Sequence, residues 1–269
     1  MGASDISWLN LLLGSLILLI PVGVLLYYKT GLTKAMLLAF GRMALQLFLV
    51  GLYLMYIFKL NSLIINFLWL MLMIFAASLS IIKRSEISIS RFFVPVLMGV
   101  LADVVVNFAV FIFIISGKEN FFNARYFIPL SGMIIGNCLN SGIIGIRSFY
   151  GSLSKNEEKY KYYLMCGATR NEALFPFMTE AMKDAFSPTI ASTATIGLIW
   201  LPGMMTGQIL GGTNPIISIK YQIVIIIAIF VGSVLTVAVS LNLSERFAFD
   251  EYDLLKNDVK VIRKNGKKL

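Results

Sequence analysis

Seven apolar runs divide the chain, and each is long enough to cross the hydrocarbon core of a lipid bilayer. A helix needs about 20 apolar residues for that distance, and only helices and closed barrels satisfy their backbone hydrogen bonds in lipid. The runs therefore predict an all-α, polytopic integral membrane protein with about seven transmembrane helices. Their approximate bounds are 8–28, 35–58, 63–82, 92–115, 127–146, 188–210 and 221–243.

The composition excludes a soluble globular domain. Hydrophobic residues make up 58% of the 269 residues and charged residues only 14%, which leaves too little polar surface for a soluble protein of this length. No internal repeat and no low-complexity linker divides the chain. We therefore expect one membrane-spanning domain, residues 1–269, with a long hydrophilic connection at about 147–187 and a basic tail at 244–269.

Basic residues are unevenly divided between the two sides of the predicted bundle. Of the 23 lysines and arginines, 18 fall in the tail or in the connections after the first, third and fifth runs. Four fall in the other connections, and Arg42 lies inside a run. Cytoplasmic connections carry such an excess, so we expect the N-terminus outside and the C-terminus in the cytoplasm. The net charge of +9 then fits an anionic lipid surface better than a nucleic acid.

The chain offers few residues for conventional metal or redox chemistry. It has no histidine and two cysteines, Cys138 and Cys166, which lie far apart in sequence. This spacing matches neither a disulfide framework nor a zinc site, and we interpret both cysteines as reduced, inert thiols. Any metal site would have to use carboxylate, amide, backbone or sulfur ligands.

The connection at 147–187 reads as helix, turn, helix. Few helix breakers interrupt it, and Gly167 lies between the two helical stretches. Asn171 is a candidate cap for a short second helix, which Pro176 would interrupt or restart. Ser187 and Pro188 resemble an N-cap followed by proline at the first helical position, where the sixth crossing would begin.

Several polar side chains are predicted to lie at bilayer depth, where an ionisable group costs a few kcal/mol. Arg42 and Gln46 share one face of the second helix. Asp103 and Asn107 share a face of the fourth helix, and Asn137 lies on the fifth. One interpretation is a polar path or cation site. The alternatives are an Arg42–Asp103 pair, an Arg42 that reaches the interface, and asparagines that bridge helices.

The string "LPGMMTGQILGGTNP" at residues 201–215 departs from the apolar pattern around it. Glycines recur every four residues, which on a helix gives one smooth face for close packing. We expect Pro202 to kink the helix and Gly211 with Gly212 to end it. The candidates for a translocation pathway here are Pro202, Gly203, Met204, Met205, Thr206, Gly207 and Gln208.

Together, "LMCGATRNEALFPFMTEAMKDAFSPTI", "LPGMMTGQILGG..P…KYQI" and "GRMALQLFLVG" resemble the FetB-type family of ABC transporter permeases. That family includes bacterial iron-export permeases and related plant aluminium-tolerance proteins. In ABC permeases a turn of the GA-[ST] type and a short helix dock into a groove of the ATP-binding subunit. The resemblance thus implies that the coupling residues are Gly167, Ala168, Thr169, Arg170, Glu172 and Leu174.

The same resemblance implies a function and a set of partners. The chain is expected to be the membrane-spanning subunit of an ABC transporter in the cell (plasma) membrane, working as a homodimer with two copies of a separate ATP-binding subunit. It is expected to export iron or a related metal. The chain itself would bind no cofactor and would not be an enzyme, because ATP and Mg²⁺ would be bound and used by the partner.

Other functions stay open on the sequence. An ABC exporter of an organic solute, such as a nucleotide sugar or a lipid-like compound, should tolerate Asp103→Asn, whereas cation transport should not. An ion-coupled carrier without an ATPase partner would use Asp103 as its coupling carboxylate. A membrane scaffold without transport activity is the remaining alternative.

Overall fold

The computed structural model describes residues 7–114, 122–256 and 259, and its named elements there are helical. Six helices are long and apolar enough to cross a membrane, which confirms the all-α membrane fold. The helices are α1 (Trp8–Tyr27, with a 3-10 turn at Leu16–Leu18), α2 (Thr33–Leu60), α3 (Leu63–Ser85), α4 (Ile89–Ile114), α5 (Ala124–Lys155), α6 (Glu157–Met165), α7 (Arg170–Thr195), α8 (Gly203–Leu210) and α9 (Pro215–Ala248). The end of the predicted basic tail lies outside the described residues.

The core forms where α4, α5 and α9 meet, and glycines bring these helices together. A Cβ atom at Gly99 of α4 would lie 2.7 Å from the Thr236 carbonyl oxygen of α9. A Cβ atom at Gly145 of α5 would lie 2.7 Å from Cγ1 of Val237, also on α9. Because contacts this short leave no room for a side chain, small residues set the spacing of the three helices.

The predicted sixth crossing, at residues 188–210, is broken into two helical segments. Helix α7 ends at Thr195, and α8 begins only at Gly203. Between them, Gly197 has a left-handed φ of +84°, and its N–H donates to the Trp200 carbonyl at 3.0 Å. Pro202 is the N-cap of α8 and not a kink inside a continuous helix, so the expectation for Pro202 is wrong. The count of continuous spans is six in the described chain.

The start of α7 also differs from the prediction. Thr169, not Asn171, caps the helix, because its hydroxyl accepts from the Glu172 N–H while the Glu172 side chain accepts from the Thr169 N–H. This capping box lowers the pKa of Glu172, chiefly through the backbone hydrogen bond. Helix α7 then continues through Pro176 and Pro188, so the short second helix expected here is wrong.

Ser187 lies inside α7, where its hydroxyl donates to the Lys183 carbonyl at 2.6 Å. It does not cap a new helix at the membrane boundary. The sixth crossing therefore does not begin at Pro188 but continues from a helix that starts at Arg170. The consequence is mechanical, because one helix joins the α6–α7 turn to the membrane-spanning core.

Helices α1 and α2 lie at the periphery. No residue of α1 is buried, and α2 buries only Ile57. The contact of α2 with the core includes the Tyr53 ring, whose centroid lies 4.4 Å from that of Trp69 on α3. Nearly the whole surface of this hairpin is thus available to lipid or to another protein chain.

The variant Gly232→Ala is expected to destabilise the bundle, because a Cβ atom there would overlap the Asp103 carboxyl group of α4. Overpacking of this kind costs about 1–3 kcal/mol. The midpoint of thermal unfolding in detergent, followed by tryptophan fluorescence, measures the effect. Gly136→Ala is the matched control, because nothing lies within 4 Å of a Cβ atom at Gly136. Equal midpoints for the two variants would contradict the close contact.

Candidate functional site

A stripe of buried polar side chains runs along one face of α9. Its members recur at three- and four-residue spacing except between Gln222 and Ser233, where the buried residues of this face are Ile225, Ala228 and Gly232. Each polar member is at most 6% exposed. They are Ser218, Gln222, Ser233, Thr236, Ser240 and Ser244. At 1.5 Å per residue the stripe extends about 39 Å, which exceeds the ~30 Å thickness of the hydrocarbon core. We call this stripe, with the side chains of α4 and α5 that face it, the polar seam.

Asp103 of α4 lies in the middle of the polar seam. It is fully buried and is the only charged side chain among the buried residues of the described chain. The Asn107 amide donates to its Oδ1 atom at 2.5 Å, while the buried Oδ2 atom has no hydrogen-bond partner. Since buried charges are normally paired with an opposite charge or a metal, Asp103 is the most unusual side chain of the core.

Cys138 of α5 completes the centre of the polar seam. Its buried thiol donates to the Ile135 carbonyl of its own helix at 3.1 Å and lies beside the Asp103 carboxyl group and the Thr236 hydroxyl. Ser141, one turn further on α5, is also buried. The sequence-based interpretation of Cys138 as an inert thiol did not include its position beside Asp103. Polar residues at helical spacing on α4, α5 and α9, taken together, are the sequence signal that indicates this position.

Asn137 does not belong to the polar seam. It is exposed on α5, and its amide donates to the Met133 carbonyl of its own helix at 2.7 Å. The structure thus separates Asn137 from the buried core, and its place in a translocation pathway stays a prediction. The physical reason is that adjacent residues of a helix point about 100° apart, so Cys138 faces the core while Asn137 faces outward.

Arg42 and Gln46 lie on α2 and are both exposed. Asp103 is buried in the core, with Asn107 as its hydrogen-bond donor. The predicted Arg42–Asp103 pair is therefore wrong, because α2 lies at the edge of the bundle and does not approach the middle of α4. A route for the Arg42 guanidinium to the membrane interface stays a prediction.

The glycine-rich string forms α8 and its two ends. Met205 is 8% exposed, and Met204, Thr206 and Gln208 are half-buried, whereas Gly203 and Gly207 are exposed. Gly211 caps the helix, Gly212 adopts a φ of +92°, and Asn214 caps α9. The predicted helix end is thus confirmed. Nothing in the described chain lies within 4 Å of a Cβ atom at Gly203 or Gly207, so the smooth glycine face has no packing partner within this chain.

The α6–α7 turn carries the residues that the family resemblance assigns to coupling. Gly167 has a left-handed φ of +91°, Ala168 and Arg170 are half-buried, and Thr169 and Glu172 form the capping box. Leu174 is 2% exposed and packs in the core. The expectation that Leu174 contacts a partner subunit directly is therefore wrong, because Leu174 lies on the side of α7 that faces the core.

Three other large side chains on the two helices that flank this turn are exposed. Tyr162 is 60% exposed, Met165 79% and Phe175 70%. Leu174 and Phe175 are neighbours in sequence, so the sequence indicated an apolar segment but not which of its residues points outward. We call Tyr162, Met165 and Phe175 the turn surface.

The chain after α9 folds back onto the α6–α7 turn. Arg170 forms an ion pair with Asp253 at 3.0 Å, and its guanidinium carbon lies 5.9 Å from the centre of the Phe249 ring. The Tyr160 hydroxyl donates to the Asp253 carbonyl at 2.8 Å, and burial, with the nearby Asp253 charge, raises the pKa of Tyr160 to about 12. The phenol therefore remains a donor at neutral pH, and Arg170 contacts its own chain.

Contacts between connections place the α6–α7 turn, the α3–α4 turn and the chain after α9 at one end of the molecule. Arg147 of α5 lies 3.7 Å from Glu86 of the α3–α4 turn. Arg91 of α4 donates to the Phe247 carbonyl at 3.3 Å. These are the connections in which the basic residues are concentrated. That this end faces the cytoplasm stays a prediction.

Comparisons with known proteins give the family. Residues 8–249 match the model of an "Uncharacterised protein family (UPF0014)". The chain is 30% identical to the UPF0014 membrane protein YjkA of Bacillus subtilis, over 94% of this chain and 99% of that protein. It is 31% identical to the "Probable iron export permease protein FetB" of Escherichia coli, over 78% of this chain and 80% of that protein. It is 30% identical to the UPF0014 membrane protein STAR2 of rice, over 73% and 68%.

No solved structure matches the chain. The family model nevertheless covers most of the chain, and the B. subtilis relative covers nearly all of it. The relatives are named as membrane proteins, and the structure has six helices able to cross a bilayer. The chain is therefore a multi-pass membrane protein that belongs to the UPF0014 family.

Proposed function

We propose that this chain is the membrane-spanning subunit of an ABC transporter that exports iron or a related metal across the plasma membrane. Two copies of the chain would work with two copies of an ATP-binding subunit, which would bind ATP and Mg²⁺. The printed name of the E. coli relative, a probable iron export permease, supports the substrate class. The resemblance of the α6–α7 turn to the coupling segment of ABC permeases supports the energy source.

The turn surface is the observation that carries the proposal. The turn surface lies at the basic end of the molecule, and Tyr162, Met165 and Phe175 are largely exposed there. In the proposed orientation this end lies in the cytoplasm, so lipid does not cover these side chains. Large exposed apolar side chains outside the membrane favour a protein-binding site. A bulky aromatic side chain beside a tight glycine turn suits the groove of a partner subunit.

Helix α7 provides a mechanical link from the turn surface to the core. Its buried residues Leu174, Ala181 and Ala185 lie on one side of the helix. A Cβ atom at Gly145 would lie 3.4 Å from the Ala185 Cβ atom, and the Ser148 hydroxyl of α5 donates to Asp184 at 2.6 Å. Movement of the turn by a partner would thus be transmitted to α5 and the polar seam.

The first prediction concerns assembly. Phe175→Asp is expected to lower the recovery of a co-expressed ATP-binding subunit by about tenfold or more, because a charge replaces an aromatic anchor at the centre of the interface. The amount of the subunit that co-purifies with the tagged permease measures the effect. Lys155→Asp is the control, because it adds a carboxylate to an exposed position at the same end. An unchanged recovery with Phe175→Asp would contradict the assigned docking surface.

The second prediction concerns the glycine face of α8. Because a Cβ atom at Gly207 meets nothing within 4 Å in the described chain, Gly207→Leu is expected to leave insertion and folding unchanged. It should block metal export, since in the proposed homodimer this face packs closely against another helix. ATP-dependent accumulation of radioactive iron in everted vesicles, whose cytoplasmic face points outward, measures the effect, and protein level in the membrane is the control. Normal export by this variant would contradict close packing of another helix against Gly207.

A further inference from the structure

We propose that the centre of the polar seam is a transit site for a divalent transition-metal cation, with Asp103 and Cys138 as the anionic ligands, Thr236 as a neutral oxygen donor, and Asn107 as the residue that positions the Asp103 carboxylate. The inference rests on the proposed transport function and names the residues that would bind its substrate. Each of the four lies on one of the three core helices, and each is at most 1% exposed.

The first step of the argument is the polar chemistry that the core leaves unused. The Oδ2 atom of Asp103 and the hydroxyls of Ser233 and Ser240 are buried without a hydrogen-bond partner. Buried polar groups left in this condition cost about 1–3 kcal/mol each. Ser233 follows Gly232, which lies against Asp103. Ser240 lies about 10 Å further along α9, against Gly99. Atoms without a partner at successive levels of the polar seam indicate that another ligand completes them during the working cycle.

The second step is charge. Among the described residues, no lysine or arginine is buried in the core, so no cationic side chain there balances the Asp103 carboxylate. The groups that face Asp103 are Asn107 on its own helix, Cys138 on α5, and Gly232 with its neighbours on α9. A divalent cation supplies the missing charge at this depth.

The third step is the ligand chemistry. A carboxylate with a thiol favours iron, zinc, cobalt and related ions over alkali metals or organic solutes, since sulfur ligands select softer transition metals. The chain has no histidine to provide an imidazole. The thiol binds a metal as thiolate, and its proton passes to water when the ion binds. A site with two anionic ligands binds a metal ion with lower affinity than a structural metal site. Lower affinity suits a transport site, because the ion must be released.

The fourth step concerns access. The Gly232 backbone lies against the Asp103 carboxyl group and the Asn107 amide, so closely that a Cβ atom at Gly232 would overlap the former. The α9 side of the carboxylate is therefore closed to an ion in this arrangement, and separation of α4 and α9 opens it. This makes access to the site depend on movement of the bundle, which the ATP-binding subunit would drive.

The experiment uses the two cysteines as reporters. Cys166 is exposed and Cys138 is buried, so Cys166→Ser leaves one thiol, at the proposed site. The complex of this variant with its ATP-binding subunit is reconstituted in lipid nanodiscs, and the rate of maleimide labelling of Cys138 is measured. We expect slow labelling at rest and faster labelling during turnover with Mg·ATP.

Addition of Co²⁺ tests the site itself. At ten times its Kd, Co²⁺ is expected to slow the labelling of Cys138 during turnover by about tenfold, and to produce a near-ultraviolet thiolate-to-cobalt absorption band. Asp103→Asn in the same background should remove most of the protection and keep the acceleration by ATP. Gly136→Ala, two residues from Cys138 on the open face of α5, should keep both.

The outcomes separate this inference from the proposed function. If ATP accelerates labelling but Co²⁺ neither protects Cys138 nor produces the absorption band, the transit site is wrong while the ABC assignment stands. If a nucleotide sugar or a lipid protects Cys138 and Co²⁺ does not, the ligand class is wrong. Should no ATP-binding subunit associate, the proposed function fails. The permease alone is then equilibrated with Co²⁺ until unprotected Cys138 labels at its slow resting rate, because the opening that admits maleimide also admits the ion, and the cobalt band at that point tests the site. If Asp103→Asn does not fold, loss of that band in Cys138→Ser provides the same test.

Discussion

The close contact between α4 and α9 is the constraint on which the rest of the structure depends. Gly99, Asp103 and Asn107 recur every four residues along α4, and Gly232, Thr236 and Ser240 do the same along α9. The two sets meet in antiparallel order, with Gly99 against Thr236 and Ser240 and with Gly232 against Asp103 and Asn107. Since each glycine accommodates a polar side chain opposite, the helices approach closely and still enclose polar groups.

The position of α5 and α7 follows from that contact. Helix α5 packs on α9 through Gly145 and Val237 and brings Cys138 to the same level of the core. Helix α7 meets α5 at the same glycine, where the Ala185 Cβ atom would lie 3.4 Å from a Cβ atom at Gly145. At the far end of α7, the ion pair between Arg170 and Asp253 ties the chain after α9 to the α6–α7 turn. Helices α7 and α9 are therefore connected at the turn as well as in the core. Displacement of the turn would move the two helices together.

The apolar runs predicted the fold class well, because the cost of exposed backbone groups in lipid permits few alternatives. They did not predict the break between Thr195 and Gly203, since hydropathy is blind to the left-handed turn at Gly197. The α7 cap was missed for a related reason: Thr169 and Asn171 are both good caps, and the Glu172 side chain selects the first. For the candidate site, Asp103 and Asn107 were identified from the sequence. Cys138 and the α9 stripe were not, because their importance depends on which faces of α4, α5 and α9 meet, and the pattern within one helix does not show this.

The unpaired polar groups of the polar seam lower the stability of the bundle, and the fold itself does not require them. Valine or alanine at Ser233 and Ser240 would fill similar volumes and leave no unpaired hydroxyl, and asparagine at Asp103 would remove the only buried charge among the described residues. A bundle selected only for stability in lipid would favour those residues, because replacement of both partners in a buried polar contact by apolar groups is nearly neutral or stabilising. Retention of polar groups there fits a bundle with two arrangements, one closed as described and one in which α4 and α9 separate. In the second arrangement the same atoms would face water or an ion, which satisfies the hydrogen bonds that the closed arrangement leaves unmade.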